Sequence, residues 1–182
     1  MRPRFRPLTT LLLAFALGAG AAPARAAEAI GEDTVAAFLL NFISFATWPG
    51  ERFESDRSPF RLCVVANDPV VRALQARGSV ERGGRPVRVL QLSTGVSLDG
   101  CHLVFIGHLD RRLASEQLGS DAGQQVLAVG LGEAFLESGG TIALQHERGR
   151  VRMKIRLEAA RRARIALSSK LLELADIVRE PQ

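Results

Sequence analysis

The segment FRLCVVANDPVVRALQARG, residues 60–78, decides the fold class of this chain. It begins with a short apolar run at 60–66, which is typical of a buried β-strand. The turn signal NDP at 67–69 follows, and the apolar positions after it recur at helical spacing until Gly78. A buried strand followed at once by an amphipathic helix is the unit from which parallel α/β sheets are built.

The same alternation of strands and helices continues along the chain. Further strands are predicted at the remaining short apolar or alternating runs: 86–92, 101–106, 126–129, 141–146 and 151–157. Helices are predicted at 34–48, 109–118, 133–136 and 159–164. Because the last two strands are joined through a short turn at 148–150, they form an antiparallel hairpin. The sequence therefore predicts a single α/β domain with a mixed parallel/antiparallel sheet flanked by helices on both faces.

A last helix is predicted after Ser168-Ser169, whose side chains offer an N-cap. The apolar face of this helix comprises Leu171, Leu172, Leu174, Ala175 and Val178.

The helix at 34–48 carries an unusually wide apolar surface. A helix that is apolar on more than one side is buried on more than one side. Two interpretations stay open: the surface belongs entirely to the core, or part of it contacts another chain. The residues concerned are Phe38, Leu39, Phe42, Phe45 and Trp48.

The N-terminus has the order of an export signal. Three arginines lie within the first seven residues, an uncharged run follows at 8–20, and Ala24-Arg25-Ala26 supplies a cleavage site. The uncharged run is shorter than the roughly 20 residues that a membrane span requires. We expect a cleaved signal peptide at 1–26, a mature domain at 27–182 and a periplasmic location.

Removal of this segment changes the charge of the protein. The full chain has a net charge of +5. Since the first 26 residues hold four arginines and no acid, the remainder carries 20 basic and 19 acidic side chains. A nearly neutral domain lacks the basic footprint of a nucleic-acid-binding protein.

Two cysteines, Cys63 and Cys101, both fall on predicted strands. In an exported protein such a pair favours a disulfide, provided that the two strands are neighbours. The alternative is a pair of separate buried thiols that pack as small apolar groups. Because no C-x-x-C motif is present, thiol oxidoreductase chemistry is not expected.

No group of residues in the sequence assembles a catalytic, cofactor or metal site. The histidines His102, His108 and His146 lack the spacing of a zinc site. The G-L-G tripeptide at 130–132 resembles a dinucleotide loop, but Phe135 stands where the third glycine is needed. We therefore expect a protein that is not an enzyme and needs no cofactor.

A basic cluster at 161–164 includes Arg161 and Arg162. It is either a solvated helix face or a docking patch for an acidic partner.

Seven stretches together resemble the YfiR family of small periplasmic regulators. In chain order they are AAFLLNFISFATWP (36–49), LCVVANDP (62–69), CHLVFIG (101–107), VLAVG…F (126–135), SGGTIAL (138–144), VRMKIRLEAARRA (151–163) and SSKLLELA (168–175). The resemblance covers nearly the whole mature chain. Two residues depart from the pattern: Leu40 stands where tyrosine is frequent, and Arg164 where glycine is frequent.

The resemblance implies a repressor that binds the periplasmic domain of an inner-membrane diguanylate cyclase. Such a repressor keeps cyclic-di-GMP low and restrains biofilm formation, and a peptidoglycan-binding outer-membrane lipoprotein can sequester it. Reduction can also release the cyclase, and in this chain any redox switch must depend on Cys63 and Cys101.

We thus expect a homodimeric regulator that acts by protein–protein contact, through the apolar residues of the first helix. The alternatives are a periplasmic small-molecule binding module and an accessory protein of an envelope complex.

Overall fold

The computed structural model describes residues 29–65, 68–107 and 111–179. The predicted signal peptide and His108 lie outside these ranges. Within them, no helix has both the length and the apolar character needed to cross a membrane.

The helices are α1 (Glu32–Phe45), α2 (Val70–Gln75), α3 (Arg111–Gly119), α4 (Ala134–Glu137), α5 (Leu157–Arg162) and α6 (Ser169–Glu173). The strands are β1 (Ala46–Thr47), β2 (Phe60–Val65), β3 (Glu81–Arg82), β4 (Arg85–Leu92), β5 (Leu103–Ile106), β6 (Leu127–Leu131), β7 (Ile142–Glu147), β8 (Arg150–Arg156), β9 (Ala166–Leu167) and β10 (Asp176–Val178).

Eight of these strands form one mixed sheet, in the order β10-β8-β7-β6-β5-β2-β4-β3. The neighbours from β4 to β7 are parallel, whereas β7 and β8 form an antiparallel hairpin. The small strands β1 and β9 pair separately. The predicted mixed α/β sheet is confirmed.

Hydrophobic cores lie on both faces of the sheet. In β2, Leu62 contributes to the core under α1 and α2, while its neighbour Cys63 contributes to the core under α3 and α4. This alternation follows from the strand geometry, in which successive side chains point to opposite faces. The predicted placement of helices on both faces is also confirmed.

Helix α1 ends earlier than the sequence predicts. Glu32 and Asp33 lie in its first turn, where acidic side chains favour the helix N-terminus. The helix stops at Phe45 because the next two residues form β1, with Ala46 opposite Leu167 in β9. Trp48 therefore follows a short strand and not a helix.

The C-terminal prediction is only partly correct. Ser168 caps α6 as expected, since its Oγ accepts a hydrogen bond from the Leu171 N–H. The helix then ends at Glu173, and residues 176–178 form β10 parallel to β8. The β-branched pair at 177–178 favours a strand, and the edge of β8 supplies its hydrogen-bond partners. Leu174 is 77% exposed and does not belong to an inward-facing helical surface.

Helix α5 ends in a left-handed residue that is not glycine. Arg164 has φ +56°, its N–H donates to the Arg161 carbonyl, and the Ile165 N–H donates to the Ala160 carbonyl. This pair of hydrogen bonds is the Schellman motif, whose left-handed position favours glycine because a Cβ is strained there. The Arg164 guanidinium also forms an ion pair with Glu51 at 2.8 Å.

We predict that Arg164→Gly is more stable than Arg164→Ala by about 1 kcal/mol, because both variants lose the ion pair but only glycine removes the strain. Urea denaturation of both variants measures the difference. At Arg161, inside the helix, the order should reverse, with alanine the more stable substitution. Equal stability of the two Arg164 variants would contradict the strain argument.

Candidate partner-binding surface and disulfide site

Part of the apolar surface of α1 remains accessible after the helix has packed on the sheet. Phe45 is 36% exposed, and Phe38 is half-buried. Phe38 also lines a shallow groove of about 310 Å³ together with Asp33, Thr34, Ala37 and Asn41. These aromatic side chains keep an accessible apolar area that a partner could cover.

The other three aromatic and aliphatic candidates lie in the core. Leu39, Phe42 and Trp48 are 0%, 1% and 8% exposed. The Trp48 Nε1–H donates to the His102 carbonyl at 2.9 Å, and its ring meets Phe60 edge-on at 4.7 Å. The core interpretation is correct for these three residues, so only Phe38 and Phe45 remain candidates for contact with a partner.

Two apolar residues near the C-terminus are exposed, although the sequence predicts an inward-facing Leu174 and assigns no role to Ile177. Leu174 follows α6, and Ile177, which is 42% exposed, lies on the edge strand β10. These segments come directly after Ser168, whose N–H donates to the Phe45 carbonyl at 2.9 Å. The β-branched pair Ile177-Val178 favours a strand, but the apolar spacing of residues 171–178 also fits a helix, which is what the sequence analysis predicts.

The two predicted basic residues lie in the last turn of α5. Arg161 is exposed and pairs with Glu158 of the same helix at 3.5 Å. Arg162 is exposed as well and lines a cleft of about 300 Å³ with Glu137 and Thr141. Pairing of β9 with β1 connects this region to the end of α1. The arrangement leaves both the solvated-face and the docking interpretation open.

The predicted disulfide is present between Cys63 and Cys101, with a Cα–Cα distance of 5.9 Å. Cys63 lies on β2 as expected, but Cys101 lies in the turn before β5 and not on that strand. Its N–H donates to the Leu98 carbonyl after the left-handed Gly100. In a regular strand, Cys101 would lie on the same face as Leu103, which is opposite Leu62 and not opposite Cys63. The turn instead places Cys101 where its sulfur atom reaches Cys63. Both cysteines are buried, at 0% and 2% exposure, so a reductant needs local opening to reach the bond.

His102 is buried beside this disulfide. Arg61 N–H donates to its Nδ1, and its Nε2 lies 3.0 Å from the Arg52 carbonyl. Burial lowers the pKa of His102 below 6.5, and the hydrogen bond to the Arg52 carbonyl partly opposes this shift. The nearby guanidinium groups of Arg52, Arg61 and Arg85 each lower the pKa further.

The remaining chemical candidates do not form a site. Among the described residues, no group of histidine, cysteine and acidic side chains could hold a metal ion. Gly130 lies under the ring of Phe135, which a Cβ at this position would overlap. Gly130 therefore allows close packing of α4 on the sheet. The Phe135 ring occupies the position where a dinucleotide loop needs its third glycine, as the sequence predicts.

A family model described as YfiR/HmsC-like matches residues 32–176. The chain belongs to the YfiR/HmsC-like family. The match runs from the first turn of α1 to the start of β10, and so includes the disulfide and the exposed part of α1. YfiR-like proteins are periplasmic regulators of diguanylate cyclases, which gives the general class of function. No curated protein matches the chain.

We predict that reduction of the disulfide in this YfiR-like protein lowers the free energy of unfolding by about 4 kcal/mol, because the bond closes a loop between residues 38 apart. Urea denaturation of the oxidised and the fully reduced protein measures this loss. Reduction leaves both sulfur atoms in place, so the comparison isolates the cross-link.

The control is the double variant Cys63→Ala/Cys101→Ala, whose unfolding should not respond to reductant. Identical midpoints for the oxidised and reduced wild-type protein would show that the disulfide contributes no stability.

Proposed function

We propose that this chain binds the periplasmic sensor domain of an inner-membrane diguanylate cyclase and represses it. The observation that carries the proposal is the family match over residues 32–176. Exposed apolar side chains at the end of α1 and near the C-terminus supply a surface for such a contact. The chain thus acts by binding, without catalysis, after export to the periplasm and removal of residues 1–26.

The mechanism is a shift of populations between two states of the cyclase. A binder stabilises one state only by the difference between its affinities for the two states. Repression therefore requires that the surface fits the inactive arrangement of the sensor domain better than the active one. Lower cyclic-di-GMP and less biofilm follow from this preference.

The contact surface is centred on Phe45, with Phe38, Leu174 and Ile177 as further apolar residues. Aromatic side chains commonly dominate the binding energy of an interface because they bury a large area at a low entropic cost. The exposed Arg161 and Arg162 lie in the segment that leads to β9 and steer an acidic partner, which affects the association rate more than the affinity.

Two further associations belong to the proposal. The protein forms a homodimer, for which the outer edge of β10 offers unpaired backbone groups. A peptidoglycan-binding outer-membrane lipoprotein sequesters the repressor and so relieves the cyclase.

A charged residue at the centre of the surface should abolish repression. We predict that Phe45→Asp weakens binding to the cyclase's periplasmic domain by more than about 30-fold, because a buried aromatic contact is replaced by an unpaired carboxylate. Calorimetric titration gives the affinity, and the cellular cyclic-di-GMP level should rise to that of a deletion strain.

The matched control is Val96→Asp. Val96 is another exposed apolar residue, at 45%, but it lies in the loop beside α3. This variant should bind and repress as the wild type does. Wild-type affinity in Phe45→Asp, with its fold intact by circular dichroism, would exclude the proposed surface.

A small-molecule binding module is the second candidate. The cleft of about 300 Å³ between α3, α4 and α5 favours it, since Glu137, Thr141 and Arg162 supply polar groups of both charges. A thermal-shift screen that yields a stabilising metabolite would support it, whereas copurification with an envelope complex would support an accessory role.

A further inference from the structure

A short segment, Gly50–Ser58, lies against the amino ends of the central strands, and we call it the strap. Its Arg52 donates to the carbonyl of Cys101 at 2.9 Å and to the side chain of Gln125 at 2.8 Å. Cys101 lies just before β5, and Gln125 lies just before β6. The strap is thus attached to the sheet through side chains.

A second attachment comes from β4. The Arg85 guanidinium donates to the carbonyls of Ser55 and Ser58, at 2.7 and 3.0 Å. It also lies over one face of the Phe53 ring, 3.9 Å from the centroid. The other face of Phe53 stacks on His102, at 4.4 Å and an interplanar angle of 12°. Phe53 of the strap is therefore held between a cation and an imidazole.

The imidazole of His102 has a partner on each nitrogen. The Arg61 N–H donates to Nδ1 at 3.0 Å, so Nδ1 carries no proton. Nε2 faces the Arg52 carbonyl at 3.0 Å, so it carries the proton and donates. The bonds require the neutral ring, because a second proton on Nδ1 would point at an N–H donor.

The charged surroundings also oppose a positive ring. Arg52 of the strap, Arg61 of β2 and Arg85 of β4 all face it. The carboxylates nearest to these cations are on the strap, where Glu54 pairs with Arg61 and Asp56 with Arg85. Trp48, Phe60 and the Cys101 disulfide complete the environment with uncharged groups.

We propose that His102 is an acid-sensitive latch, whose protonation releases the strap while the sheet stays folded. A proton on Nδ1 breaks the bond from the Arg61 N–H and places a positive ring beside Arg52 and Arg85, whose guanidinium groups attach the strap. The strap contacts the imidazole through the Phe53 stack and the Arg52 carbonyl, and a charged ring keeps the second contact while it repels the Arg52 and Arg85 guanidinium groups.

The central strands lose one bond, from the Arg61 N–H, but keep the backbone bonds of His102 to Arg61 and Leu127 and the disulfide of Cys101 to β2. Release exposes Phe53 and uncovers one side of Phe60, whose ring contacts Trp48.

The direction of the pH effect follows from proton uptake. A released imidazole has its ordinary pKa of 6.5, whereas burial and the nearby guanidinium groups hold the pKa of His102 lower in the closed form. The released state therefore binds more protons as the pH falls below 6.5, and acid favours release. Above this pH both states are neutral, and the latch stays closed independently of pH. The latch is a property of this chain and does not depend on the proposed cyclase partner.

Hydrogen–deuterium exchange of the purified, oxidised protein tests the latch. After correction for intrinsic rates, the opening constant of residues 50–58 should rise severalfold, by up to about tenfold, from about pH 7.5 to about pH 5.5. Protection of β5 and β6 should persist across the same range. Trp48 is the only tryptophan, so its fluorescence should shift to the red together with the loss of strap protection.

Two variants separate the latch from general acid effects. His102→Gln keeps a donor and an acceptor but cannot take up a proton, so its strap exchange should be independent of pH. His146→Gln removes a histidine on β7 and should retain the wild-type response.

Three results would overturn the latch: pH-independent strap exchange in the wild type, an unchanged acid response in His102→Gln, or simultaneous loss of protection in the strap and in β5. Should His102→Gln not fold, an NMR titration of the wild-type imidazole decides. Coincident midpoints for His102 protonation and strap opening support the latch, and separate midpoints reject it.

Discussion

Burial of the central strands on both faces is the constraint on which the rest of this structure depends. All four residues of β5, Leu103 to Ile106, are at most 2% exposed. Parallel strands of this kind require a covering layer on each side, which α1 and α2 provide on one face and α3 and α4 on the other. The wide apolar surface of α1 is largely a consequence of this demand. Of its aromatic residues, only Phe38 and Phe45 stay partly exposed.

The dipeptide Cys101-His102 connects these layers at the amino end of β5. Cys101 belongs to the core under α3 and α4, where its disulfide fixes the turn to β2. His102, the next residue, contacts Trp48, Phe53 and Phe60 near the other core. One short turn thus holds a covalent cross-link and a neutral imidazole side by side. The cross-link joins the turn to β2, whereas the imidazole contacts both β2, through the Arg61 N–H, and the strap, through the Arg52 carbonyl.

The regulatory function is consistent with the distribution of polar and apolar side chains between the core and the surface. The buried ring of His102 is occupied by backbone hydrogen bonds, and Phe45, Leu174 and Ile177 are exposed apolar side chains. The YfiR/HmsC-like family match agrees with this interpretation at the level of function class.

The amino-acid sequence by itself determined the main strands and helices and the mixed sheet, because these depend on local periodicity and turn residues. The resemblance of seven sequence stretches indicated the family. The sequence also indicated the pairing of Cys63 with Cys101, since only two cysteines are present. Tertiary structure alone decided that Leu39, Phe42 and Trp48 lie in the core while Phe45 stays accessible. The sequence shows which residues of the helix are apolar, but the elements packed against the helix determine which of these residues are covered. For the same reason, residues 176–178 became a strand only because the edge of β8 offered them hydrogen-bond partners.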